Sequence, residues 1–200
     1  MTSILKVDNI KDSSDNQAIS ISNGVVTFAN DVIPTDNVSD LGTSSSRYKD
    51  LFLSGGAYLG GTGSANKLDD YEEGTWTPVY GGSTSAGTVS LGSTEGLYTK
   101  TGNFVTIWLR LSNITLSNAT GIFKISGLPF TSSHGSNAYA STAIAMTHAI
   151  NFDTARNQSL YLIGTDLYGL ESINGAAWVD WGVTNGSGIY MNYTVTYRTA

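Results

Sequence analysis

The sequence contains no cysteine in 200 residues. That excludes a disulfide scaffold, a thiolate metal site and a cysteine nucleophile. Ionisable side chains are scarce as well: Asp, Glu, Lys and Arg make up 13% of the chain, against about 25% in an ordinary soluble domain. Acids outnumber bases by 16 to 10, for a net charge of −6, which does not suit a phosphate backbone, so no nucleic-acid partner is expected. No apolar run approaches the ~20 residues needed to cross a bilayer. Residues 1–6, Met-Thr-Ser-Ile-Leu-Lys, show no basic region leading into an apolar stretch, so neither a signal peptide nor membrane insertion is expected. There is no Gly-x-Ser-x-Gly elbow and no Walker or dinucleotide fingerprint. The two histidines, His134 and His148, match no zinc spacing. Only a threefold repetition of one histidine on a symmetry axis would give them a metal to hold. The expectation is no metal and no cofactor.

What the chain does have is glycine, 23 residues of it, abundant Ser, Thr and Asn, 40% hydrophobic and 10% aromatic residues. That is too apolar for disorder and points to a folded all-β protein. Ile19-Ser20-Ile21-Ser22 and Val26-Thr27-Phe28 alternate around Asn23-Gly24, the pair that best suits a type I′ hairpin turn. The pairing predicted is Ile21 with Val26 and Ile19 with Phe28, all on one face. Pro34 closes the next extended piece, a Ser/Thr/Gly turn occupies 40–46, and 47–53 reads as a short strand, alone or after one helical turn. The Gly-rich stretch 54–70 reads as an extended connector in which Tyr58 and Leu59 must pack. The apolar groups of residues 1–70 come in twos and threes, too few for a core, and a lone hairpin is marginal in water. Other copies of the chain would have to complete it. The expected contacts are Ile19, Ile21, Val26, Phe28, Leu51 and Leu53.

From Glu73 onward the strands lengthen. The clearest candidates are 96–100 and 104–111 around a turn at 101–103, then 121–126, 139–146, 159–163, 176–183 and 189–197. Short Gly/Asn/Ser clusters punctuate them, as in sandwiches and barrels. In the last strand Ile189, Met191, Tyr193, Val195 and Tyr197 share one face, the signature of a half-buried antiparallel strand.

Two groups of residues invite chemistry. Asp69, Asp70, Glu72 and Glu73 beside Trp76 have the ingredients of a glycosidase, but such acids must face each other across a cleft, and adjacent acids in a glycine-flanked connector do not. The aromatic residues suit a sugar-stacking surface better. In Trp178-Val179-Asp180-Trp181 strand alternation sends the two tryptophans to opposite sides, so one is exposed or at an interface. Tyr161, Tyr168 and Tyr190 carry the same choice. The contact residues expected are Trp178, Trp181 and Tyr168.

Residues 40–56, Asp-Leu-Gly-Thr-Ser-Ser-Ser-Arg-Tyr-Lys-Asp-Leu-Phe-Leu-Ser-Gly-Gly, resemble a repeat unit of bacteriophage fibre shafts. Residues 68–78, Leu-Asp-Asp-Tyr-Glu-Glu-Gly-Thr-Trp-Thr-Pro, are similar to the junction that opens the C-terminal head in many phage fibres, especially of marine phages. The stretches 97–105, 125–130 and 5–10 fit the same proteins. The resemblance implies a homotrimeric fibre with a β-sandwich head on a virion surface, made in the host cytoplasm, and carries no catalytic motif.

The expected architecture is therefore all-β: a docking segment at 1–22 that binds another virion protein, a short intertwined trimeric shaft at 23–70, and a jelly-roll-like β-sandwich head at 71–200. The expected function is non-enzymatic adhesion of a short tail fibre to a host surface glycan or protein. The alternatives are a capsid-bound head fibre with a mainly structural role and a polysaccharide depolymerase.

Overall fold

A computed structural model describes residues 9–11, 17–22, 25–28, 31–32, 40–90, 92–133, 138–139, 141–148, 157–172 and 176–199. The chain divides into two compact units, Met1–Phe52 and Leu53–Ala200.

In the first unit, β1 (Asn9–Lys11), β2 (Gln17–Ser22) and β3 (Val25–Phe28) form an antiparallel sheet in that order. The register pairs Ile21 with Val26 and Ile19 with Phe28, as the alternation predicts; the Asn23-Gly24 turn itself lies outside the described residues. The turn at 40–46 is present: Ser46 O accepts from Thr43 N–H at 2.8 Å and Thr43 Oγ1 accepts from Ser46 N–H at 2.9 Å. The strand expected at 47–53 is absent. Among the described residues no strand offers those backbone groups a ladder, and Leu51, Phe52 and Leu53 stand 64%, 91% and 53% exposed. Val26 and Phe28 are exposed too, and Ile19 is half-buried. Ile10, Val25, Val32 and Leu41 of this segment are exposed as well.

The second unit opens with β4 (Ala57–Tyr58) paired to β5 (Lys67–Leu68), with a turn of 3-10 helix at Ser64–Asn66 between them. The Gly-rich stretch therefore folds back as a small hairpin instead of extending. Tyr58 and Leu59 remain exposed, so the packing expected of them is not supplied by the described residues of this unit. Next come β6 (Tyr71–Thr75), β7 (Val79–Gly82), β8 (Thr88–Ser90), β9 (Ser93–Thr101), β10 (Phe104–Ser117), β11 (Phe123–Ser126), β12 (Ala138–Tyr139), β13 (Ser141–His148), β14 (Asn157–Ile163), β15 (Asp166–Ser172), β16 (Val179–Asp180) and β17 (Gly186–Arg198).

These strands make two antiparallel sheets. Sheet I has the order β13-β17-β10-β9-β6, with β8 on the end of β10; sheet II has the order β12-β14-β15-β11-β7, with β16 beside β15. One apolar cluster joins them: Val105, Ile107, Leu109 and Leu111 of β10 and Tyr193 and Val195 of β17 meet Phe123 and Ile125 of β11, Leu160 and Leu162 of β14 and Leu167 of β15. The Phe123 and Tyr193 rings meet edge to face at 6.4 Å, as aromatic quadrupoles prefer. The long strand β10 runs beyond the stretch expected at 104–111 because a bulge between Leu111 and Ile114 resets its alternation. Asn113 takes φ 53 there, a left-handed conformation that asparagine tolerates, and Ile114 and Leu116 return to the core.

Two polar devices fasten the sandwich. The buried Tyr80 hydroxyl donates to Thr184 O at 3.0 Å and accepts from Thr184 N–H at 3.1 Å. The Asn185 side chain acts as a surrogate peptide group: Oδ1 accepts from Ala119 N–H and Nδ2 donates to Ala119 O, each at 2.9 Å.

Candidate functional site

The outward face of sheet II carries a pair of neighbouring tyrosines. Along β14, β15 and β11 the alternate residues Leu160, Leu162, Leu167, Phe123 and Ile125 are buried, so their neighbours Tyr161, Tyr168 and Lys124 point away from the core. Strand register sets these three side by side, Tyr161 opposite Tyr168 and Tyr168 opposite Lys124. The two tyrosine rings stack, centroids 5.3 Å apart and planes 27° from parallel. At backbone level Tyr139 continues the row beyond Tyr161. Asp166, two residues before Tyr168, accepts from Lys124 Nζ and from the Tyr168 hydroxyl, each at 3.4 Å. Burial and then Asp180 raise the Tyr161 hydroxyl pKa, and burial and then Asp166 raise that of Tyr168. Both phenols therefore keep their protons at neutral pH and can donate hydrogen bonds. The face offers a flat aromatic platform, hydroxyl donors, carboxylate acceptors and one ammonium.

Trp178 is 50% exposed, at the entrance to β16. Trp181 is not a surface residue, which corrects its expected role as a contact. Only Val179 and Asp180 of the stretch 176–183 form a strand. Its ring is 1% exposed and lies on Phe123 with centroids 4.3 Å apart and planes 4° from parallel. Main-chain bonds hold it from both sides: Trp181 N–H to Gly169 O at 3.1 Å and Phe123 N–H to Trp181 O at 2.7 Å. Gly169 makes this possible, because a Cβ there would come within 2.6 Å of the indole Cε3.

The acidic run at 69–73 is a fastening. Asp69 pairs with Lys67 at 2.9 Å, Asp70 with Lys100, Glu72 accepts from the Tyr98 hydroxyl and Glu73 from that of Tyr71. The Lys67 bond and charge hold Asp69 below the usual carboxylate range, and the Glu72 bond raises the Tyr98 pKa. The Tyr98 ring also covers Gly74 of the edge strand β6, where a Cβ would meet its carbons at 2.7 Å. Each acid is thus tied to its own partner, and the four do not converge on a cleft. His148 is exposed, its ring 6.0 Å from that of Tyr190, and His134 lies outside the described residues. No group of three metal-binding side chains forms among the described residues.

Sequence reading named Tyr168 and Trp178 and kept Tyr161 open, but missed Lys124, Asp166 and Asp180. Their sole signal is alternation within each strand, which places them on a common face only once the strand order β14-β15-β11 is known.

No protein-family profile matches the sequence. Over 82 residues, 40% of the chain, it is 35% identical to a protein of Klebsiella phage K64-1 described as a capsule KN4-specific depolymerase, and the match spans 11% of that protein. The fold is similar to the crystal structure of the Dettilon tailspike protein, with a TM-score of 0.50 and 13% identity over 64% of this chain and 24% of that one. The chain spans a small part of each of these proteins, and the all-β architecture is one that it shares with part of a phage tailspike.

Proposed function

We propose that this chain is a phage tail receptor-binding protein, carried on the virion, whose larger unit adheres to a host surface glycan through the Tyr161/Tyr168 face of sheet II. The observation that carries this reading is the stacked tyrosine pair beside Lys124, Asp166 and Asp180 on an outward sheet face. The likeness to a phage depolymerase and to a tailspike supports the phage setting. Residues 1–22 dock on another virion protein, and residues 23–70 assemble with other copies as a short trimeric shaft. Sugars stack their apolar faces on aromatic rings, and the flanking carboxylates and phenols take up the hydroxyls. Low charge suits such contacts, and display in several copies multiplies weak sites through effective concentration.

The test is binding of the full chain to immobilised host surface polysaccharide. Tyr161→Ala and Tyr168→Ala should each weaken binding about ten-fold, which corresponds to ~1.4 kcal/mol, while native mass and near-UV dichroism stay unchanged. Undiminished binding by the double variant would refute the site. A depolymerase is the second reading, favoured by the name of the phage relative. It predicts release of oligosaccharides from the same polysaccharide, and no product after prolonged incubation ends it. Antibody labelling of virions separates tail from capsid placement.

A further inference from the structure

The outward face of sheet I takes no part in the glycan reading, and its composition is different. Register lays its residues out in rows across β6, β9, β10 and β17: Tyr71, Thr101, Phe104, Arg198; then Glu73, Thr99, Thr106, Thr196; then Thr75, Leu97, Trp108, Thr194. A fourth row holds Glu95, Arg110 and Asn192. The intervening Val105, Ile107 and Leu109 are fully buried, so these rows face outward. Phe104, Tyr71 and Leu97 are 61%, 56% and 43% exposed, and between them runs a line of threonines in which Thr106 and Thr196 share a hydrogen bond of 3.0 Å. Exposed apolar side chains gathered in a strip on one sheet face mark a contact surface.

The charges around that strip are sorted. Glu73 and Glu95 lie on the β6/β9 half, Arg110 and Arg198 on the β10/β17 half. Among the described residues none of the four belongs to an ion pair, although Glu95 and Arg110 stand opposite each other. A face with its acids on one side and its bases on the other is complementary to itself. We propose that the outer face of sheet I packs against a second copy of this chain, acidic half to basic half, with Phe104, Leu97 and the threonine row at the buried centre. Complementary charge fixes the orientation of such a contact, and the apolar strip supplies its driving force. The arrangement leaves sheet II, with its tyrosine face, turned to solvent.

The absence of cysteine makes the test clean. In the full chain, Thr106→Cys and Ser126→Cys place one thiol each on the outward faces of sheets I and II, and a maleimide reagent reports their access. The expected result is labelling of Thr106→Cys at least ten-fold slower than Ser126→Cys. Adding Leu97→Glu and Phe104→Glu should bring the rate at position 106 up to that at 126. Both residues are already substantially exposed in the single chain, so these charges spare its fold. Equal labelling rates at the outset would overturn the proposal and leave the face to another partner, a virion protein or the receptor. So would protection that survives the two glutamates, because the covering would then come from elsewhere in the same chain. Glycan binding is measured separately, so failure of the tyrosine site does not affect this outcome.

Discussion

Gly169→Ala is the most demanding test of the packing described here. The new methyl carbon would lie 2.6 Å from Trp181 Cε3, 3.0 Å from Trp181 Cβ and 3.1 Å from Phe123 Cβ. Ordinary carbon contacts need about 3.5–4.0 Å, so something must move by roughly 1 Å. The indole has no room to yield: it is stacked on Phe123 at 4.3 Å, and its own main chain is bonded to Gly169 O and Phe123 N–H. Overpacking of this kind costs about 1–3 kcal/mol, and disturbing the aromatic stack adds about 0.5–1.5 kcal/mol. The expected loss is ~2–4 kcal/mol, which for a chain of this length lowers Tm by about 4–16 °C. Thermal unfolding followed by near-UV dichroism, at one fixed protein concentration, measures it. Gly182→Ala is the control, since a Cβ there meets nothing within 4 Å, and its Tm should change by no more than ~1–2 °C. Equal Tm values for the two variants would refute the account of Trp181 as a core residue wedged against a glycine.

Two further predictions follow from the buried tyrosines. Tyr80→Phe removes the hydroxyl bonded to both main-chain groups of Thr184 and should cost ~1–3 kcal/mol. Tyr193→Phe removes a buried hydroxyl with no hydrogen-bond partner among the described residues, so it should be neutral or stabilising by up to ~1 kcal/mol; urea midpoints of the two variants distinguish them. The third prediction concerns alkaline pH. Burial pushes the Tyr80 and Tyr197 hydroxyls up to about 12 and raises that of Tyr193 as well. A folded-state pKa above the ordinary value of about 10 means that the native state holds its phenolic protons more tightly than the unfolded state. Stability is then full below pH ~10 and falls as pH rises from there through about 12; a denaturation midpoint that stays flat across that range would contradict the burial of these rings.

The parts of the fold legible in the sequence are those governed by local alternation. The Ile19–Phe28 and Ile21–Val26 pairs followed from a two-residue turn signal, and the inward face of β17 from a clean period of two. Where the period breaks, the reading stopped: β10 was legible to Leu111, and its last turnover through Asn113 depends on a bulge whose only local sign is one asparagine. Trp181 was harder still. Its burial is decided by a missing Cβ at Gly169, twelve residues away in the chain and on a neighbouring strand. The tyrosine face failed to appear as a site for the same reason: Lys124, Tyr161 and Tyr168 become neighbours only through the order of sheet II. The acids at 69–73 show the reverse, since proximity in sequence suggested a shared purpose and the fold gives each of them a separate partner.

Asn185 has a consequence for how the protein ages. It precedes Gly186, the neighbour that least hinders a main-chain nitrogen from attacking an asparagine side chain and expelling ammonia. Here both ends of that side chain are held against Ala119, away from the geometry that the attack requires. The tie matters because its loss cannot be undone: conversion to aspartate would replace the Nδ2 donor with an oxygen and set a carboxylate against the Ala119 carbonyl. The lifetime of this contact is therefore linked to two hydrogen bonds that keep one amide from reacting with its own backbone.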